Sequence, residues 1–262
     1  MRCAPTEPCW RLQLTGFGEP AEVVTLVSQP ALVAGPDEVV VALEAAPVHP
    51  SDIRLIRGSY GVRPRLPAPL GAEGVGKVVE VGPGADQALL GRRVAILPTY
   101  EQGTWADHAL VATRNIVAVS DEGDPQQLAM IGVNPITALL LLRLFGPLSG
   151  GDWIAQTGAN SAVGQYVISL AERAGIHTLN VVRSDEAATQ VSQAGGEHVV
   201  IDGDDLPAQL QRVLGGQELA LVLDSIGGPV VTELAHRLAT GARSSASARS
   251  AASQRRWTSA RT

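Results

Sequence analysis

Cysteine is almost missing from this 262-residue chain. Cys3 and Cys9 are the only two, which excludes a disulfide framework and a four-cysteine zinc lobe. Long apolar runs are missing too: none reaches the roughly 18–20 residues needed to cross a bilayer. The opening MRCAPTEPCW has neither a signal-peptide apolar core nor an Arg- and Ser-rich presequence, so the cytoplasm is the expected compartment and no membrane partner is expected. Positive charge is short: the formal net charge of −6 argues against a general nucleic-acid binder. Aromatics make up 3 % of the chain and include three tyrosines, one of which, Tyr60, sits in the glycine-flanked loop RGSYGVRPRLP. What remains, 45 % hydrophobic and 18 % charged, suits a soluble globular protein of one large or two ordinary domains.

Within a first domain expected over residues 1–124, residues 10–115 read as strands broken by turns: EVVTL, EVVVALEAA, GVGKVVEVG and RRVAILP are short apolar or β-branched runs with Pro and Gly at nearly every joint. The pattern changes at about residue 125. PQQLAMIGVNPITALLLLRLFG predicts one or two buried helices, with Pro135 at a break or in a first turn. From DWIAQTGA onward, short strands alternate with helical apolar spacing through residue 240, which predicts a parallel, doubly wound sheet with right-handed crossovers. Four strands are expected there, after which the pattern gives way to a tail.

QTGANSAVG joins the first of these strands to its helix. It keeps Gly158 and Gly164 of a dinucleotide-binding loop, with Ala162 where a small residue is needed. Backbone N–H groups at the following helix N-terminus can bind phosphate oxygens; a helix capped by Asn160 or Ser161 that binds nothing is the other reading. In NVVRSDE, at the end of the second strand, an NAD site would place Asp or Glu to hold the ribose. Arg183 stands there instead, and its forked guanidinium suits a 2′-phosphate, so NADP(H) is the expected cofactor.

The segments HPSDIRLIRGSYG, LPAPLGAEGVGKVVEVG, VNPITA, ANSAVGQYVISLA and NVVR together resemble the medium-chain dehydrogenase/reductase superfamily. Within it they look most like the zinc-independent 2-enoyl thioester (enoyl-CoA/ACP) reductases, with quinone reductases next. The resemblance implies an α/β protein: a β-rich GroES-like domain, then a Rossmann sheet incomplete at its C-terminal end. It implies that Tyr60 is the catalytic proton donor, that Asn134 contacts the cofactor, that Asn160, Ser161, Ala162 and Val163 line the phosphate loop, and that Arg183 holds the 2′-phosphate. His49 replaces the family's usual Asn, and Ser184 and Asp185 follow Arg183 where a second basic residue is common. Zinc-dependent relatives carry a His-Glu pair where this chain has Ala72-Glu73, and a Cys where it has His49, so no metal is expected. His49 is expected to pack or to make a backbone hydrogen bond.

Three functions follow. An NADPH-dependent enoyl thioester reductase leads. A quinone oxidoreductase is the alternative enzyme, and a non-catalytic nucleotide-binding remnant is the alternative of another class. The partner is a small-molecule substrate, and the intact family implies a homodimer. Asp224, at the end of LALVLD, is expected to hold its loop, approach the cofactor or cap the next helix. Residues 241–262 carry five basic side chains and no acidic one, leaving −11 for the first 240. This Ser/Ala/Arg stretch is expected to be disordered. With arginine outnumbering lysine 19 to one, it is expected to be a frameshift product or a truncated gene model.

Overall fold

The computed structural model describes residues 8–145 and 147–246. The chain divides into two compact units between Val133 and Asn134.

The first unit contains β1 (Cys9–Leu14), α1 (Pro20–Val23), β2 (Val24–Gln29), β3 (Glu38–Ala45), α2 (Pro50–Ile56), β4 (Ala68–Pro69), β5 (Gly74–Val81), β6 (Arg93–Ile96), β7 (His108–Ala112), β8 (Ile116–Ala118) and α3 (Pro125–Leu128). Its strands form two antiparallel sheets, in the orders β2-β1-β4 and β7-β3-β5-β6-β8. Period-two alternation is what makes the larger sheet close on a core. Val39 and Val41, Val94 and Ile96, and Ala109 and Val111 each lie two apart on one strand face and meet in a single buried cluster. A second cluster forms around Leu14, Leu55, Ile56, Ala68 and Leu70, and Tyr60, Tyr100 and Trp105 pack against it. The tyrosine loop is therefore anchored on apolar surface.

The second unit contains α4 (Asn134–Leu144), β9 (Trp153–Thr157), α5 (Ala162–Arg173), β10 (His177–Val182), α6 (Asp185–Gln193), β11 (His198–Ile201), α7 (Leu206–Leu214), β12 (Leu219–Asp224), α8 (Pro229–Ala235) and β13 (Leu238–Ala246). The sheet order is β11-β10-β9-β12-β13 and all pairings are parallel. Its central strands are buried almost end to end, as a sheet covered on both faces requires. Leu206, Leu210 and Leu214 recur every fourth residue along α7 and pack with Leu179, Val181 and Val222 on one face. Ala138 of α4 and Val167 and Ala171 of α5 pack with Ile154, Leu221 and Leu223 on the other. Pro135 falls in the first turn of α4, where its missing N–H costs nothing.

One expectation is corrected. The sheet does not stop at four strands: β13 pairs with β12 from Leu219↔Leu238 to Asp224↔Ala246, so the assigned tail begins in regular structure at 241–246. Ladder bonds come from the backbone, and the exposed edge of β12 accepts any extended segment delivered by α8, whether or not that segment is apolar. The rest of the tail, 247–262, lies outside the described residues. No helix among the described residues is long and apolar enough to cross a membrane.

Leu210 is fully buried and Leu26 is 64 % exposed. Leu210→Ala should cost about 2–5 kcal/mol and Leu26→Ala no more than about 0.5 kcal/mol, both read from urea denaturation midpoints. Equal shifts would show that the α7 cluster does not hold the second unit together.

Candidate functional site

In the first unit, the chemistry gathers around the start of α2. Pro50 occupies the first helical position, and the Asp52 carboxylate turns back to accept the His49 backbone N–H at 2.7 Å. That bond fixes the His49 ring, whose Nε2–H donates to Glu73 Oε1 at 2.7 Å. Glu73 is 1 % exposed, and its Oε2 has no hydrogen-bond partner among the described residues. Beyond the end of α2, Tyr60 is half-buried in its loop. The Tyr100 hydroxyl donates to the Tyr60 oxygen at 3.4 Å, with ring centroids 6.3 Å apart and planes tilted by 50°. Tyr100 holds φ at +58°, a left-handed conformation uncommon for a bulky side chain and found where surrounding structure imposes it. Burial first, then the bond to Tyr60, pushes the Tyr100 phenol up from its ordinary value of 10.0; Ser51, on α2, works in the opposite direction by hydrogen bonding to it. Tyr100 thus keeps its proton at neutral pH and spends it on Tyr60, leaving the Tyr60 O–H to donate elsewhere.

In the second unit, the loop after β9 carries the predicted phosphate contacts. Gly158 takes φ +62°, and Ser161 Oγ accepts the Gly164 N–H at 3.2 Å as the cap of α5. Gly164 lies against the Ala159 carbonyl so closely that any Cβ would overlap it. The N–H groups of Ala162 and Val163, in the first turn of α5, donate to no carbonyl of the loop and point outward from a helix N-terminus. Asn160 is half-buried; its Nδ2 donates to Gln190 at 3.3 Å and its carbonyl accepts from Gln165 at 3.2 Å. Arg183 is exposed directly after β10 and makes no ion pair among the described residues. Because β9 and β10 are parallel neighbours, the loop residues 160–163 and Arg183 share the carboxyl edge of the sheet. Asn134 is elsewhere in this unit, buried in the first turn of α4.

Residues 35–121 match the alcohol dehydrogenase GroES-like domain. The chain is 36 % identical over 229 residues to the mitochondrial enoyl-[acyl-carrier-protein] reductase of Bos taurus, covering 86 % of this chain and 61 % of that protein. It is 38 % identical over 216 residues to the Arabidopsis thaliana protein of the same name, covering 80 % and 57 %. A mutant enoyl thioester reductase from Candida tropicalis superposes with a TM-score of 0.78 at 27 % identity, covering 92 % of this chain and 75 % of that one. A quinone oxidoreductase from Pseudomonas syringae superposes at 0.76 and 25 %, covering 90 % and 75 %. In sequence the chain is thus similar to enoyl-[acyl-carrier-protein] reductases, and in fold to an enoyl thioester reductase and a quinone oxidoreductase. It spans about three-fifths of the length of these curated relatives.

Several details of the site were not foreseen. The His49 ring was expected to pack or to bond to backbone; it pairs instead with the Glu73 carboxyl group at 2.7 Å. Asp224 is buried and holds its own loop: Oδ1 accepts the Thr157 hydroxyl at 2.7 Å and the N–H groups of Ile226 and Gly227 at 3.0 Å each. Ser225 Oγ donates to the Thr157 carbonyl at 2.9 Å, so the ends of β9 and β12 are tied together beneath the loop that joins β9 to α5. Tyr100 meets Tyr60 from a left-handed backbone conformation that has no sequence signature.

The Glu73 hydrogen bond, more than the opposing burial, raises the His49 pKa above 6.5. Unfolded histidine titrates near 6.5, so the pair's contribution is complete below that pH and is lost as pH rises through the raised folded value. Burial likewise raises Asp52 from 3.8, but its stability loss with rising pH falls in the acid range and is separate. Between about pH 6 and 9 the urea midpoint of the wild type should therefore fall more steeply than that of His49→Gln, which donates to Glu73 without titrating. Parallel slopes would show that the pair is not charged in the folded protein.

Proposed function

We propose that this chain is an NADPH-dependent reductase of activated carbon–carbon double bonds whose substrate is a 2-enoyl thioester. The observation that carries the reading is the Tyr100-to-Tyr60 hydrogen bond, which orients one phenol with the other. The curated relatives, named as enoyl-[acyl-carrier-protein] reductases, support the substrate class.

The carboxyl edge of the nucleotide-type sheet fits a dinucleotide phosphate. The unengaged N–H groups of Ala162 and Val163 face outward at the start of α5, and Gly164 lets that helix sit close to the strand. Asn160 and Ser161 shape the turn, Arg183 is available for a 2′-phosphate, and Asn134 is assigned a cofactor contact on the strength of the resemblance alone. When bound, the cofactor supplies a hydride to the β-carbon. Reduction then leaves negative charge on the thioester oxygen and α-carbon, which must be stabilised by donors and quenched by a proton. Tyr60 gives that proton at the α-carbon; Tyr100, bonded to the Tyr60 oxygen, stabilises the phenolate that results. His49, Asp52 and Glu73 hold the first turn of α2 and are assigned no proton transfer, and no metal is assigned to the site.

A quinone acceptor is the second reading, favoured by the structural likeness to the Pseudomonas syringae quinone oxidoreductase. Purified protein assayed for NADPH oxidation with crotonyl-CoA and a quinone side by side separates the two. The thioester should be reduced faster, and Tyr60→Phe should lower its kcat by roughly 10²–10⁴-fold with little change in KM. Arg183→Ala should weaken NADPH roughly tenfold or more and leave NADH unchanged. Turnover of the quinone alone would favour the second reading. NADPH binding without turnover of either would leave a nucleotide-binding protein, and no NADPH binding would refute both enzyme readings.

A further inference from the structure

A second cluster of chemistry lies in the first unit, where the start of β1 crosses the segment entering β7. Trp10 N–H donates to Asp107 Oδ1 at 3.0 Å, and Asp107 N–H donates to the Trp10 carbonyl at 3.1 Å. This reciprocal pair holds Cys9 beside His108. Cys9 is itself fixed in β1 opposite Gln29, and His108 is fixed in β7 opposite Ala42. The Cys9 sulfur, an Asp107 carboxylate oxygen and a His108 ring nitrogen all lie within 4.8 Å of one another. Cys9 is 3 % exposed and His108 9 %, while the Asp107 side chain is 39 % exposed and gives the cluster its opening to solvent.

The His108 Nδ1 atom is buried and has no hydrogen-bond partner among the described residues. The carboxylate oxygen 3.3 Å away is already engaged by the Trp10 N–H. A buried ring nitrogen in this condition calls for an occupant, and an ion is one of the few that fits.

We infer that Cys9, Asp107 and His108 form a binding site for a divalent transition-metal cation of the zinc class. Thiolate, imidazole and carboxylate are the three ligand types such an ion accepts, at bond lengths of about 2.0–2.3 Å. Ligand atoms already within 4.8 Å of one another close onto a tetrahedral centre with small side-chain movement. His108 ligates through Nδ1, Asp107 through the oxygen not held by Trp10, and Cys9 as the thiolate, its proton passing to solvent on binding. Water takes the fourth position on the exposed Asp107 side. Because all three ligands sit on paired backbone, the ion ties the first strand of the unit to the β7 edge of its larger sheet.

The test is a cobalt(II) titration of the chelator-treated, full-length chain. A thiolate-to-cobalt charge-transfer band with tetrahedral visible absorption should saturate at one equivalent and be bleached by zinc. Cys9→Ser should abolish the charge-transfer band and Cys3→Ser should leave it intact. Asp107→Asn, which keeps an oxygen for the Trp10 N–H, should weaken cobalt roughly tenfold or more. A wild-type protein with no such band overturns the site, whatever the variants do. So does a band that survives Cys9→Ser, one that disappears with Cys3→Ser, or an affinity unchanged in Asp107→Asn.

Discussion

The contact on which the nucleotide-type unit depends is the seating of α5 against the turn that ends β9. Gly164 meets the Ala159 carbonyl at a distance that admits no side chain. A Cβ there would lift the helix from the strand and rotate the N–H groups of Ala162 and Val163 away from the carboxyl edge. The rest of the edge is built to keep that seat. Gln156 Nε2 reaches the Gly164 carbonyl at 3.0 Å and Asn180 Oδ1 at 2.8 Å, so a buried amide network ties β9 and β10 to the helix. Thr157, Asp224 and Ser225 do the same between β9 and β12. Gln156, Thr157, Asn180 and Asp224 are buried, Ser225 is half-buried, and each finds a partner, which is the condition for such a network to add rigidity.

The first unit is organised by a different compromise. A carboxyl group as buried as Glu73 needs a hydrogen-bond partner, and the His49 ring supplies one from the cap position of α2. The same helix presents Ser51 to Tyr100, whose phenol meets Tyr60 from an unusual backbone conformation. Strain in the loop is thus held by a packed apolar cluster below it, with Leu55 and Ile56 of α2 at its centre. Residues with no contact to substrate can accordingly govern how well Tyr60 is aimed.

Much of this was legible in the sequence, for physical reasons that differ from element to element. The β9–α5–β10 unit announced itself because strand and helix periods alternate cleanly and Gly158, Gly164 and Arg183 stand at the places where backbone and charge are constrained. Asp224 was narrowed to three roles, and the structure selects the loop. The fifth strand was not legible, since GARSSA carries no apolar alternation and its pairing rests on backbone alone. Nor were the Tyr60–Tyr100 and His49–Glu73 pairs, which join residues 40 and 24 positions apart through tertiary packing. The Cys9–Asp107–His108 cluster is more distant still in sequence and has no spacing motif to betray it.

The central claim is that hydride and proton arrive at different carbons, the second through Tyr60. The most direct measurement is the fate of label when the chain reduces crotonyl-CoA with 4-deuterated NADPH in ordinary water. The account predicts butyryl-CoA with deuterium at C3 and solvent hydrogen at C2, with the rate falling when Tyr60 becomes phenylalanine. Deuterium at C2, or an undiminished rate in Tyr60→Phe, would contradict it.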